Sequence, residues 1–256
     1  LMGFGLAAPQ LVFEYVGRKV ISLGAQLGLL AAAIGFLGLY HFHARRHDNP
    51  VLDFSLFRIR TFAVSVLAGT MSRVGLLTMG FLLPLLFQVG FGMDAFHSGL
   101  LICVSTLGAL FMRVGTPALL RAVGLPRVLF GNAIITGVMI FGFAMFHTTT
   151  SAWILMIYLF VFGFFRSVQF SSLSALSYAD LPTEVMRRGT SIAAVAQRLA
   201  QSMGIGIAAT LLSISSGGGK IVESDFIVVF GVIGLLELTS LIGYWRLAPT
   251  DGMRLT

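Results

Sequence analysis

Four arginines, Arg73, Arg113, Arg166 and Arg198, and one carboxylate, Glu237, stand inside long apolar runs of this 256-residue chain. Polar residues accompany them: Ser72, Ser167, Gln169, Ser171, Ser172, Gln197, Gln201 and Ser202. A guanidinium presents a planar fork of donors that can grip a carboxylate or phosphate at two points. Hydroxyls and amides can orient the rest of a ligand, and a carboxyl can carry a proton. The chemistry this set suits is recognition and passage of a solute, with no covalent step. No nucleophile–base pair, metal-ligand set or nucleotide motif accompanies it, so no catalytic residue, cofactor or metal is expected. His41, His43 and His47 lie close together, but at irregular spacing and with no cysteine partner, and read as an interfacial cluster. "SSGGGK", 215–220, lacks the spacing of a phosphate loop and reads as a flexible connection.

The elements that must hold these residues are membrane-spanning helices. Hydrophobic residues make up 57% of the chain and charged residues 11%, against about 25% charged in an ordinary soluble domain. So much apolar surface exceeds what one aqueous core of this length can bury. A bilayer core about 30 Å thick needs roughly 20 apolar residues per helix. Seven stretches qualify: 20–42, 62–90, 99–120, 127–146, 152–178, 188–212 and 226–246. Residues 1–13 resemble the end of an eighth, cut short. The runs lack period-two alternation, which argues against a β-barrel. The single Cys103 lies mid-helix and reads as packing. Pro84 should kink its helix. Gly204 and Ala208, four apart, should permit a close helix crossing.

Charge sets the orientation. Arg45, Arg46, Arg58, Arg60, Arg121, Arg127, Arg187, Arg188, Arg246 and Arg254 fall on one side of the spans, and only Arg18, Lys19 and Lys220 on the other. Basic residues stay on the cytoplasmic face, so the 43–60 loop and the C-terminus are expected in the cytoplasm of a plasma (inner) membrane protein. The net charge of +7 has the same origin, and no nucleic-acid partner need be invoked. Within the loop, 51–59 reads as a short helix on the membrane surface, with Leu52, Leu56 and Phe57 dipped in. Tyr40, Trp153, Tyr178, Tyr244 and Trp245 are placed as interfacial aromatics.

By helical rise, the four intramembrane arginines lie about 12–20 Å from the cytoplasmic ends of their helices. A charge there costs roughly 2.5–3.5 kcal/mol. Two readings stand for each: it lines a water-filled cavity, or it snorkels or pairs with a carboxylate to join helices. Glu237 likewise reads as a proton carrier or as a helix–helix contact.

The quoted segments resemble a known family. "NPVLDFSLFRIRTF" (49–62) looks like the loop after the eighth helix in the fourteen-helix drug:proton antiporter branch of the major facilitator superfamily. "FLLPLLFQVGFGMDAFHSGLL" (81–101) resembles the turn from its ninth to its tenth helix. "FRSVQFSSLSALSYADLP" (165–182) and "RRGTSIAAVAQRLAQSMGIGIAATLL" (187–212) resemble its twelfth and thirteenth. The superfamily's loop motif, Gly-x-x-x-Asp-Arg-x-Gly-x-Arg, is matched loosely by "PALLRAVGLPR" (117–127). Gly124 and Arg127 fit roughly, while Pro117 and Arg121 replace the Gly and the Asp.

The resemblance implies an all-α integral membrane protein of the major facilitator fold. Residues 1–43 would be the end of a truncated helix and one complete extra helix. Residues 44–60 would be a cytoplasmic loop with its interfacial helix, 61–247 the C-terminal six-helix domain, and 248–256 a cytoplasmic tail. The domain would consist of two inverted three-helix repeats, with the first two helices of each lining the cavity. Those are the four spans that carry arginine. The implied activity is proton-coupled efflux of amphipathic compounds. An anion carrier and a non-transporting scaffold are the alternatives. Arg73, Arg113, Arg166, Gln169, Gln197, Arg198 and Gln201 would line or gate the cavity, and Glu237 would serve as a proton or structural residue. The partners would be a small-molecule substrate, protons, membrane lipid and a missing N-terminal half.

Overall fold

The computed structural model describes residues 54–248. Within them a short 3-10 helix, Phe54–Arg58, leads into six α-helices: α1 Arg60–Leu85, α2 Ala95–Val123, α3 Leu125–Gly142, α4 Ala152–Tyr178, α5 Met186–Ser215 and α6 Asp225–Tyr244. No strand occurs among the described residues, in agreement with the all-α class. The extra helix at 20–42, the surface residue Leu52, the three histidines at 41–47 and the C-terminal tail lie outside the described residues.

Five of the six helices are long and apolar enough to cross a membrane: α1 with its π-helical extension to Gly90, α2, α3 with its extension to Met145, α4 and α6. The sixth, α5, has the length but not the apolarity. One of its faces carries Thr190, Gln197, Arg198 and Gln201, all exposed.

Local chemistry explains the helix ends. The Asp94 carboxylate caps α2, accepting from the His97 amide at 3.1 Å, with His97 Nδ1 2.5 Å away. The hydrogen bonds from His97 hold the Asp94 carboxyl below the usual carboxylate range. Gly124 forms the corner between α2 and α3 at φ 90°, a backbone state that favours glycine. Pro84 removes one donor inside α1, and the α-helical pattern gives way two residues later to π-helix over Leu86–Gly90.

Two crossings are close enough to require glycine. A Cβ on Gly108 of α2 would lie 2.0 Å from the Phe160 carbonyl oxygen, and one on Gly163 of α4 would lie 1.8 Å from that of Ser105. The two glycines thus form a reciprocal seam between α2 and α4. Between α1 and α5, a Cβ on Gly204 would meet Thr78 Oγ1 at 1.9 Å. Gly204 and Ala208 are both buried, as their spacing suggested. The main helix pairs are α2 with α4, α1 with α6, α3 with α6, α1 with α5, α3 with α4 and α1 with α4. Exchanging α1–α3 for α4–α6 maps that set onto itself.

Three expectations about side chains change. Leu56 is not dipped into lipid: it is buried against Phe62, Val66, Leu181 and Ile192 at the basic end of the bundle. Tyr244 is not interfacial: it is 2% exposed, and its hydroxyl turns inward. Cys103 is not packed but exposed, because the buried stripe of α2 runs through Ser98, Leu101, Ser105 and Gly108 instead. Trp153 and Trp245 are exposed near helix ends, as expected.

Candidate substrate cleft and polar core

The predicted site residues divide into three groups, because residues at similar depth point in different directions. On α2, Thr106, Ala109, Leu110 and Arg113 recur at helical spacing and share one face. On α4, Arg166, Phe170 and Ser174 do the same, with Ser167 and Ser171 beside them. These two faces enclose a cleft of about 730 Å³ that begins at the glycine seam and extends toward the basic end of the bundle. Its polar lining is Thr106, Arg113, Arg166, Ser167, Ser171 and Ser174. No acidic side chain lines it. Among the described residues neither Arg113 nor Arg166 makes a hydrogen bond or an ion pair. Ser174 donates to the Phe170 carbonyl at 2.9 Å, while Ser167 and Ser171 keep free hydroxyls.

Gln197, Arg198 and Gln201 form the second group, on the exposed face of α5. They lie outside the cleft's lining.

The third group is interior. Arg73 is 3% exposed, and its Nη1 donates to the Ser65 carbonyl two turns back, at 2.9 Å. Its side chain passes over Gly69, where a Cβ would sit 2.9 Å from that nitrogen. Arg73 Nε is buried without a partner. Gln169 and Glu237 join a network across four helices. Glu237 Oε1 on α6 accepts from Ser72 Oγ on α1 at 2.8 Å and lies 3.0 Å from the Thr136 hydroxyl on α3. Gln169 on α4 donates to Ser72 Oγ at 3.3 Å and approaches the Tyr244 hydroxyl at 3.5 Å. Asn132 on α3 donates to Gln169 Oε1 at 2.8 Å and to the Phe165 carbonyl at 3.0 Å. Glu237 Oε2 has no partner and lies 2.7 Å from where a Gly75 Cβ would stand.

Sequence reading did not single out Asn132 or Thr136, and it placed Tyr244 at the membrane interface instead of in this network. An amide in the apolar run 127–146 was the available signal, since a polar side chain at bilayer depth seeks an interior partner.

At the opposite, non-basic end, the loops are tied together. His147 Nδ1 pairs with the Glu223 carboxylate, joining the α3–α4 and α5–α6 connections. Asp225 accepts from Ser215 Oγ at 2.8 Å and from the Val222 amide at 2.9 Å. Among the described residues no group of His, Cys, Asp and Glu has the arrangement of a metal site.

No family model matches the chain. Among curated proteins it is similar to several described as "Putative multidrug resistance protein MdtD". It is 30% identical over 217 residues to the one from Pectobacterium atrosepticum, covering 84% of this chain and 46% of that protein. For Pectobacterium carotovorum the identity is 27% over 248 residues, covering 94% and 52%. For an Escherichia coli protein it is 29% over 227 residues, covering 88% and 48%. The chain spans about half the length of the curated relatives it matches.

Proposed function

Because this chain is a homologue of multidrug resistance proteins in the drug:proton antiporter family of the major facilitator superfamily, we propose that it forms the C-terminal six-helix half of a secondary transporter. That transporter expels amphipathic compounds in exchange for protons. Two domains rock around a site near the bilayer midplane, open to one side at a time.

One observation carries this reading. Arg113, Gln197, Arg198 and Gln201 are exposed on the bundle at bilayer depth. Against lipid, each arginine would cost roughly 2.5–3.5 kcal/mol. Facing a water-filled cavity shared with a second domain, they cost little. The faces of α2 and α5 that bear them, with the face of α4 that shares the cleft with Arg113, are the cavity side. The outer face of α3 exposes Ile134, Ile135 and Val138, and that of α6 exposes Ile227, Leu235 and Ile242, with the Thr239 hydroxyl turned back onto the Leu236 carbonyl, so both suit lipid. The pairing of helices, unchanged when α1–α3 and α4–α6 are exchanged, supports two three-helix repeats within 61–247. Residues 1–43 would then precede the domain as the extra helices, and 44–60 would be a loop. The basic end, with Arg58, Arg60, Arg121, Arg127, Arg187, Arg188 and Arg246, is the cytoplasmic one. The C-terminus lies on that side of the plasma membrane. Arg73 and Gln169 serve the domain's interior and not its cavity.

The test is transport. In proteoliposomes, the full-length protein should move a lipophilic dye when a pH gradient is imposed and stop when the gradient is collapsed. This chain alone, holding half of the cavity, should show no flux above empty liposomes. Flux from the chain alone, or flux indifferent to the gradient, contradicts the proposal.

A further inference from the structure

We propose that the cleft between α2 and α4 is a binding site for amphipathic anions, gripped by Arg113 and Arg166. This names a substrate class for the transporter proposed above and rests on that reading. It departs from the cationic compounds that a drug–proton exchanger would be expected to carry.

Charge balance is the starting point. Two guanidiniums line one cleft, and no carboxylate lines it with them. The acid at comparable depth, Glu237, is spent elsewhere: its Oε1 accepts from Ser72 behind α1, inside the bundle. Neither arginine has a partner among the described residues, so their fork-shaped donor sets are free. A carboxylate or sulfonate accepts two parallel N–H bonds from such a fork, and the pair strengthens where water is scarce. Low-dielectric walls focus the field of both arginines into the cleft and oppose a cation there. The free hydroxyls of Ser167 and Ser171 add neutral donors for remaining acceptor oxygens.

Size and lining give the rest of the ligand. About 730 Å³ falls within the range of 300–1,000 Å³ typical of small-molecule sites. Leu110 and Phe170 form apolar walls beside the arginines. The ligand is therefore an anionic head on an apolar or aromatic body. Depth excludes the headgroup of a bilayer lipid. Arg113 and Arg166 lie about 15–18 Å from the basic ends of α2 and α4 by helical rise, near the middle of a 30 Å core. Lipid phosphates stay at the interface.

The test uses two dyes of one shape and opposite charge, fluorescein (anionic) and a rhodamine ester (cationic). Binding to the purified full-length protein is read by fluorescence anisotropy, separately from transport. Arg113→Gln and Arg166→Gln should each weaken fluorescein binding at least tenfold and leave the rhodamine ester unchanged or bound more tightly. Arg166→Lys, which keeps charge without the fork, should fall between wild type and Arg166→Gln. Size-exclusion elution matching wild type certifies that each variant is folded. Absence of fluorescein binding in the wild-type protein overturns the proposal, as expected if carboxylates of the other domain already hold the two arginines. Equal loss of both dyes in folded variants also overturns it, and makes the arginines structural. A protein that binds fluorescein through both arginines yet moves no solute upholds the site and sinks the transporter reading.

Discussion

Gly163→Ala is expected to destabilise the protein by about 3 kcal/mol, because the new methyl group would overlap backbone. Its Cβ would stand 1.8 Å from the Ser105 carbonyl oxygen, with the carbonyl carbon at 2.7 Å. A flexible side chain could swing away, but these atoms belong to α2 itself. The two helices must part, and their reciprocal contact at Gly108 and Phe160 parts with them. The opposing term is small. Alanine favours helix over glycine by about 0.5–1 kcal/mol. The clash therefore wins. For a domain of this size the loss corresponds to a Tm lower by roughly 6–12 °C. Gly231→Ala on α6 is the control, since nothing stands within 4 Å of its Cβ. It should leave Tm unchanged or raise it slightly. If the two variants melt alike, the seam is not the tight crossing described.

Glu237→Ala should cost about 3–5 kcal/mol, the sum of a cavity and a lost buried acceptor. Ser72 would lose the group it donates to, in a place no water reaches. Thr136 would keep carbonyl partners at Asn132 and Ala133, which limits the loss. Glu237→Gln separates hydrogen bonding from charge. Its amide oxygen can still accept from Ser72, so the variant should fold near wild type. It should also retain pH-driven transport, because Glu237 joins α6 to α1 and α3 away from the cleft. Thermal melting checks the first variant and proteoliposome flux the second. A Gln variant that folds normally but ignores the pH gradient would make Glu237 the proton carrier.

The fold was legible because apolar run length is a one-dimensional signal. The expected span 152–178 coincides with α4, and 188–212 and 226–246 fall within three residues of α5 and α6 at each end. The depth of each arginine was legible for the same reason. Direction around the helix was not. Arg166 and Gln169 are three residues apart on α4, yet the first faces the cleft and the second is fully buried with Asn132. Arg73 sits at the depth of the others but turns back along α1 over Gly69. Which face of a helix is covered depends on its neighbours, and a single chain read alone does not name them. The polar core was missed for the complementary reason. Asn132 and Thr136 look unremarkable in sequence and Tyr244 looks interfacial, and the three gain their meaning only when four helices bring them to Ser72, Gln169 and Glu237.

The central claim is that one side of this bundle faces a water-filled cavity and the other faces lipid. Single cysteines in the full-length protein, on a background with Cys103 and every other native cysteine replaced by serine, test it directly through a charged, membrane-impermeant thiol reagent applied from the cytoplasmic side. Ser171→Cys, Gln197→Cys and Gln201→Cys should react, and a bound substrate should slow the first. Val138→Cys and Leu235→Cys, both 58% exposed on the isolated bundle, should stay silent behind lipid. Reaction at Val138 and Leu235, with silence at Gln197 and Gln201, would contradict the account.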